Sequence, residues 1–173
     1  RDYVINKRKI TKKSIDEFLI GYAPENPTSL LNFLTKKKNF TTQLIEKAGL
    51  CVTLSGYSRT KIVDRFRGRV IFPLLDHRGN VVGLAGRVLP KDNGKNFAKY
   101  INSPETPIYH KGGLLYGLNV TKSFIKKGGS AVIVEGEIDL ISTFQAGIKN
   151  VVAIKGSALT EEQVRLLSRF ASS

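Results

Sequence analysis

Residues 131–139 read Ala-Val-Ile-Val-Glu-Gly-Glu-Ile-Asp. Four apolar residues run straight into Glu135, Glu137 and Asp139, which surround Gly136. A short apolar run bounded in this way predicts a buried strand. An acid at the C-terminal edge of such a strand lies where open α/β sheets bind ligands. The pattern then repeats. A helix is expected from about 138 to 146 with Gly147 as its stop, then a strand over 151–155. A last helix over 160–170 opens on the Thr160…Gln163 capping-box pattern. Strand–helix–strand–helix implies a parallel α/β layer with right-handed crossovers. Two strands alone make a poor sheet, so the tail is expected to add to β elements upstream or to continue past residue 173.

Three acids in five residues, on a chain of formal charge +14, suit a hard divalent cation such as Mg²⁺. The competing reading is a loop acid followed by helix-start acids that favour the N-terminal dipole. Gly136 lets the backbone turn sharply off the strand. Gly156 and Ser157, after the second strand, read as an ordinary turn.

At 173 residues the chain can bury a real core, as one domain or two small ones. No apolar stretch approaches the roughly 20 residues that cross a bilayer. The N-terminus lacks the apolar segment of a signal peptide. Cys51 is the single cysteine, which excludes an internal disulfide. With only His77 and His110 beside it, no structural zinc site is expected, and Cys51 reads as an inert small hydrophobe. Methionine is absent even at position 1, and the chain ends directly after a helical pattern. A fragment of a longer polypeptide is therefore expected.

The charge is uneven. Residues 1–63 carry 12 basic and 5 acidic side chains, 64–130 carry 12 and 4, and 131–173 carry 4 and 5. The positive charge belongs to the first three quarters, and the acid cluster sits in a near-neutral tail. Such charge is the signature of phosphate-backbone binding; the alternative is a merely soluble basic surface.

Residues 11–20 predict a helix with Thr11 as N-cap and Ile15, Phe18 and Leu19 on one face, stopped by Gly21. A second helix is expected with Thr28 as its cap, running to Lys36-Lys37-Lys38, lysines that suit a helix C-terminus. A third, over 41–48, ends at Gly49. Together these make a compact helical lead. Residues 69–75 and 81–89 predict a hairpin around the turn at 76–80, with Pro73 on an edge or at a bulge. Residues 91–97 read as a flexible basic loop, and a helix is expected over 119–127.

Several segments stand in a shared order and spacing. They are Asp64-Arg65-Phe66-Arg67-Gly68-Arg69-Val70-Ile71-Phe72-Pro73, Arg78-Gly79-Asn80 through Arg87-Val88-Leu89, and Lys99-Tyr100-Ile101-Asn102-Ser103-Pro104-Glu105-Thr106. His110-Lys111-Gly112 and Leu115-Tyr116-Gly117 follow. The set resembles the core of bacterial replicative DNA primases of the DnaG type. Val134-Glu135-Gly136-Glu137-Ile138-Asp139 resembles the first motif of the TOPRIM metal-binding fold. The fold class expected is α+β. A basic, mixed α/β N-terminal subdomain spans 1–130, and a TOPRIM-type α/β subdomain with a parallel sheet spans 131–173. The resemblance implies a zinc module before the core and a helicase-interacting domain after it. It also places the family's Asp-x-Asp pair beyond Phe170, so that only the first half of TOPRIM is expected here.

The resemblance assigns Glu135 to metal binding or acid–base work and Asp139, less directly, to metal binding. Glu137 reads as helix-start charge. Alternation puts Arg65, Arg67 and Arg69 on one strand face, opposite Phe66 and Val70, where guanidiniums suit phosphate; a solvated face is the alternative. By resemblance Arg87, Lys99 and Lys111 line a groove for template and nucleotides. Asn102, Ser103 and Tyr116 could add hydrogen bonds or stacking to a single strand, though Tyr116 also suits a core. The function implied is primer synthesis by a nucleotidyltransferase, using Mg²⁺ or Mn²⁺ and no zinc in this stretch. Its partners would be single-stranded DNA template, ribonucleoside triphosphates, the RNA primer and a replicative helicase, with no membrane. The setting would be the cytoplasm, at the replication fork on the nucleoid. Residues 1–173 alone are expected not to catalyse. The rival readings are a non-catalytic single-strand-binding module and another TOPRIM enzyme, a nuclease or topoisomerase.

Overall fold

The computed structural model describes residues 2–55, 60–90, 98–156 and 158–172. The expected loop at 91–97 and Ser157 lie outside the described residues. The chain forms two compact units that interleave along the sequence. One comprises Arg1–Ile20, Phe72–Val82 and His110–Ser173, the other Gly21–Ile71 and Gly83–Tyr109.

The first unit opens on a π-helical turn, Tyr3–Lys7, and helix α1, Lys12–Glu17. Thr11 caps α1 as its sequence predicts, accepting from the Ser14 N–H. The helix stops earlier than expected. Leu19 takes a left-handed φ of 53° and its side chain is exposed, so only Phe18 of the expected face is buried. Phe18 stacks on Tyr116, ring centroids 6.2 Å apart, and meets Phe144 edge-on at 5.3 Å. Gln145 then clamps the start of α1. Its side-chain oxygen accepts from the Thr11 N–H (2.8 Å) and Ser14 hydroxyl (3.1 Å), and its amide donates to the Lys9 carbonyl (2.7 Å). The helical lead is therefore divided: α1 packs in the unit that holds the C-terminal part of the chain.

Helices α4 (Leu118–Gly128), α5 (Glu137–Gln145) and α6 (Glu161–Leu167) alternate with strands β7 (Val132–Val134) and β8 (Val151–Ala153). β7 and β8 pair in parallel, Val132 opposite Val151 and Val134 opposite Ala153, as the alternation predicts. The prediction that the first of them is buried is wrong. Val132 and Ile133 are 39% and 40% exposed, while β8 is fully buried. The cause is pairing: β8 has β7 on one side and an antiparallel bridge from Tyr116 to Ala153 on the other. Around β8 the core gathers Leu115, Leu118, Ile125, Val152 and Ile154, with Leu166, Leu167 and Phe170 against them.

The second unit holds α2 (Ser29–Lys38) and α3 (Thr42–Lys47), both anticipated. An antiparallel hairpin of β2 (Cys51–Ser55) and β3 (Thr60–Asp64) was not anticipated. A four-stranded sheet has the order β1 (Gly21–Ala23), β4 (Arg69–Leu75), β5 (Val81–Val88), β6 (Tyr100–Asn102). β4 and β5 form the expected hairpin around residues 76–80. β1 pairs with β4 only as far as Gly21 opposite Ile71, so Pro73 lies past the end of that ladder. Cys51 is buried, and burial, followed by the charges of Glu46 and Asp64, pushes its thiol above the usual range.

Candidate active site and nucleic-acid interface

The acidic edge grows from β7. Its last residue, Val134, precedes the exposed carboxylate of Glu135, and Gly136 is the N-cap of α5. A Cβ on Gly136 would stand 3.1 Å from the Asp139 carboxylate, so Asp139 folds back over the turn at Gly136. Both acids are exposed. They are hard oxygen ligands at the C-terminal end of a parallel strand, which fits part of a divalent-cation site. Among the described residues no group of three or more His, Cys, Asp or Glu side chains is placed to hold a metal.

Glu137 is not a solvated helix-start acid. Its side chain and that of Lys155 are each 5% exposed and form an ion pair. The reason is phase: Glu137, Leu140, Ile141 and Phe144 are the buried stripe of α5, and the first turn of that stripe meets the end of β8. Lys155 sits there in a left-handed conformation, φ 56°, and its N–H donates to the Glu135 carbonyl at 3.1 Å. Burial, with the positive charge of Lys111 added, holds the Lys155 ammonium down at about 7. The Glu137 carboxylate opposes that fall.

The arginines behave differently from a row on one strand face. β3 ends at Asp64 and β4 begins at Arg69; Arg65 and Arg67 lie in the connection, where Gly68 adopts φ 60°. The three therefore share no strand. Arg65 is half-buried and its Nε donates to the Asn102 carbonyl (3.2 Å). Arg69 is buried, and Nη1 donates to the carbonyls of Gly86 (3.3 Å) and Ala98 (2.9 Å). Burial, then the neighbouring charge of Arg67, lowers its pKa from the usual guanidinium value. Arg87 is also buried. It faces Tyr100 across the β5–β6 ladder, lies 5.0 Å from that ring's centroid and donates to its hydroxyl. Lys99 is exposed directly before β6. The second unit thus gathers Arg65, Arg69, Arg87, Lys99 and Asn102 around residues 98–102, with Arg67 beside Arg69. The Asn102 side-chain oxygen is buried with no hydrogen-bond partner among the described residues.

Lys111 and Tyr116 belong to the first unit. Lys111 is exposed and opens a 3₁₀ turn, Lys111–Gly113. Tyr116 is 2% exposed, locked on Phe18 and bridged to β8. Burial drives its phenol above the usual value. It is a core residue, and stacking on a nucleic-acid base is ruled out for it in this conformation. His110 is a surface residue, 3.3 Å from Glu162.

Sequence reasoning missed three polar anchors. Asp64, buried, accepts from the Leu30 (2.7 Å) and Leu31 (2.8 Å) N–H groups and so caps α2 from another element. Thr28 makes no such bond. Gln163 completes the predicted capping box and also donates to the carbonyls of Leu114 (2.8 Å) and Ile154 (3.3 Å). Lys155 is the third. Gln163 left a signal as the capping-box residue, and Glu137 left one because an acid in phase with an apolar helix stripe calls for a buried partner.

The family model described as the DNA primase catalytic core, N-terminal domain, matches residues 1–122, and the Toprim domain matches 129–173. A DNA primase of Geobacillus stearothermophilus is 44% identical over 96% of this chain and 26% of its own length. One of Clostridium acetobutylicum is 47% identical over 95% and 26%. This chain therefore spans about a quarter of the length of those relatives. The crystal structure of the RNA polymerase domain of Mycobacterium tuberculosis primase DnaG matches with a TM-score of 0.85 at 33% identity, over 97% of this chain and 52% of that one. A DnaG primase catalytic domain bound to single-stranded DNA matches at 0.80 and 36%, over 96% and 50%. The chain belongs to the DnaG-type DNA primase family, carrying the N-terminal domain of the catalytic core followed by Toprim sequence.

Proposed function

We propose that this chain is part of the RNA polymerase core of a primase, a nucleotidyltransferase that lays ribonucleotide primers on single-stranded DNA. The reading divides it into a basic subdomain over 1–130 and a Toprim segment over 131–173, and it is supported by family matches over 1–122 and 129–173. The observation that carries it is the exposed Glu135 carboxylate on the strand-to-helix turn, with Asp139 folded back beside Gly136.

In primer synthesis a 3′-hydroxyl attacks the α-phosphate of an incoming nucleotide and pyrophosphate leaves. Glu135 and Asp139 would hold a divalent cation, Mg²⁺ or Mn²⁺, together with phosphate oxygens and further carboxylates. Such an ion lowers the hydroxyl's pKa and neutralises developing charge. On the same reading Glu135 would accept the hydroxyl proton. Lys99 and Lys111, exposed, would meet phosphates of template and nucleotide, with Arg65 and Arg67 half-free to do so. Arg69 and Arg87 would act by shaping the strand ends that carry them. The remaining partners follow from the same reading: ribonucleoside triphosphates, the primer and a replicative helicase, at the replication fork in the cytoplasm. Among the described residues no helix is long and apolar enough to cross a membrane.

In the full-length protein Glu135→Ala should abolish ribonucleotide incorporation on a single-stranded template, with affinity for that strand changed by less than about twofold, since base and phosphate contacts lie elsewhere. Undiminished incorporation in that variant would sink the assignment of Glu135, and a parent that binds the strand but incorporates nothing would leave a non-catalytic binding module. Cleavage or relaxation of supercoiled DNA, abolished by the same substitution, would instead mark another Toprim enzyme. Residues 1–173 alone should bind a single strand in a salt-sensitive way and form no dinucleotide, because two carboxylates are a weak cation site.

A further inference from the structure

Lys155 holds the acidic edge from two directions. Its main-chain N–H donates to the Glu135 carbonyl at 3.1 Å, and its ammonium pairs with Glu137 in the first turn of α5. Between those two attachment points lies the turn at Gly136, over which Asp139 folds. The preceding bond, Ile154 N–H to Val134 carbonyl (3.1 Å), continues the β7–β8 ladder, so Lys155 ties off both the strand and the helix that flank Glu135. The pair is buried on both sides, 5% exposure each. A buried ion pair is a poor source of stability, because desolvating two charges offsets their attraction. It does impose one geometry, since either charge alone in that pocket is costly.

We propose that Lys155 is a positioning residue: its pairing with Glu137 fixes the strand-to-helix turn so that the Glu135 and Asp139 carboxylates converge on one cation. The inference rests on the assignment of those two carboxylates to a divalent cation, and its test separates the two. The probe is Mn²⁺ alone, titrated into the ¹⁵N-labelled protein and read as paramagnetic broadening of the amides around Gly136, with thermal unfolding measured alongside. Lys155→Met leaves Glu137 buried without its partner and could fail to fold. Glu137→Met/Lys155→Met replaces the pair with apolar side chains of similar length and should melt at or above the parent temperature.

The expected result is that this folded double variant binds Mn²⁺ about tenfold more weakly, the size of loss typical when the support of a metal ligand is removed. Undiminished Mn²⁺ binding in the double variant would overturn the inference and reduce the pair to a packing feature. Glu135→Ala is the control: it should remove the broadening altogether. Broadening that survives in Glu135→Ala would show that the cation assignment itself is wrong, whatever Lys155 does.

Discussion

Asp64 is a charge placed where water cannot reach it, and its two oxygens are satisfied by the Leu30 and Leu31 N–H groups. The free N–H groups and partial positive charge of a helix start make that a favourable home for a carboxylate. Asp64→Ala should cost about 2 kcal/mol and let the first turn of α2 exchange its amides faster. Urea unfolding and hydrogen exchange check both; an unchanged midpoint would deny Asp64 its capping role. The arginines divide by the same test. Arg69 spends its guanidinium on two main-chain carbonyls. Arg69→Met should therefore lower stability by about 2 kcal/mol. Lys99→Ala, at an exposed site, should leave the melting temperature within about a degree and weaken single-strand affinity with a shallower salt slope. A loss of binding without a loss of stability in Arg69→Met would reverse those assignments.

At the scale of elements, the β4–β5 turn is built on Asp76. Its carboxylate accepts from the Arg78 N–H, the Asn80 N–H and the Asn80 side-chain amide, each at 2.9 Å. Burial alone would raise its pKa. The hydrogen bonds from Asn80, Arg78 and Gly79 outweigh burial and leave it below the ordinary 3.8. A carboxyl lowered by folding contributes stability above its unfolded pKa and loses it as pH falls through the folded value. The stability gap between the parent and Asp76→Ala should therefore be full at pH 7 and close below about 3.8. A gap that stayed constant from pH 7 to pH 2 would refute it. The caps at Thr11 and Thr160 and the turn at 76–80 were legible in the sequence because each is settled within four or five residues. β2, β3 and β6 were not, because short half-exposed strands exist only through partners distant in the chain.

For the whole molecule, residues 1–20 are built into the unit that carries β7 and β8. Gln145 supplies three of the bonds that seat α1 there. Gln145→Ala should raise amide exchange at Ser14 and Ile15 and cost about 1 kcal/mol of stability, as exposed and part-buried groups lose their partner. Exchange unaltered at those amides would show that Phe18 alone seats the helix.

The chain's own order of residues determined the parallel β7–β8 layer, the capped helices, the β4–β5 hairpin, the basic excess and the acidic turn at Glu135, because periodicity, caps and turns act over a few neighbours. Only the tertiary structure decided which charges are spent inward. Arg69, Arg87 and Asp64 look on paper like any other surface charges, and the Glu137–Lys155 pair shows only in the phase of Glu137 on its helix. Each is buried because a partner from a remote segment satisfies it, and burial without such a partner would cost more than the fold can supply.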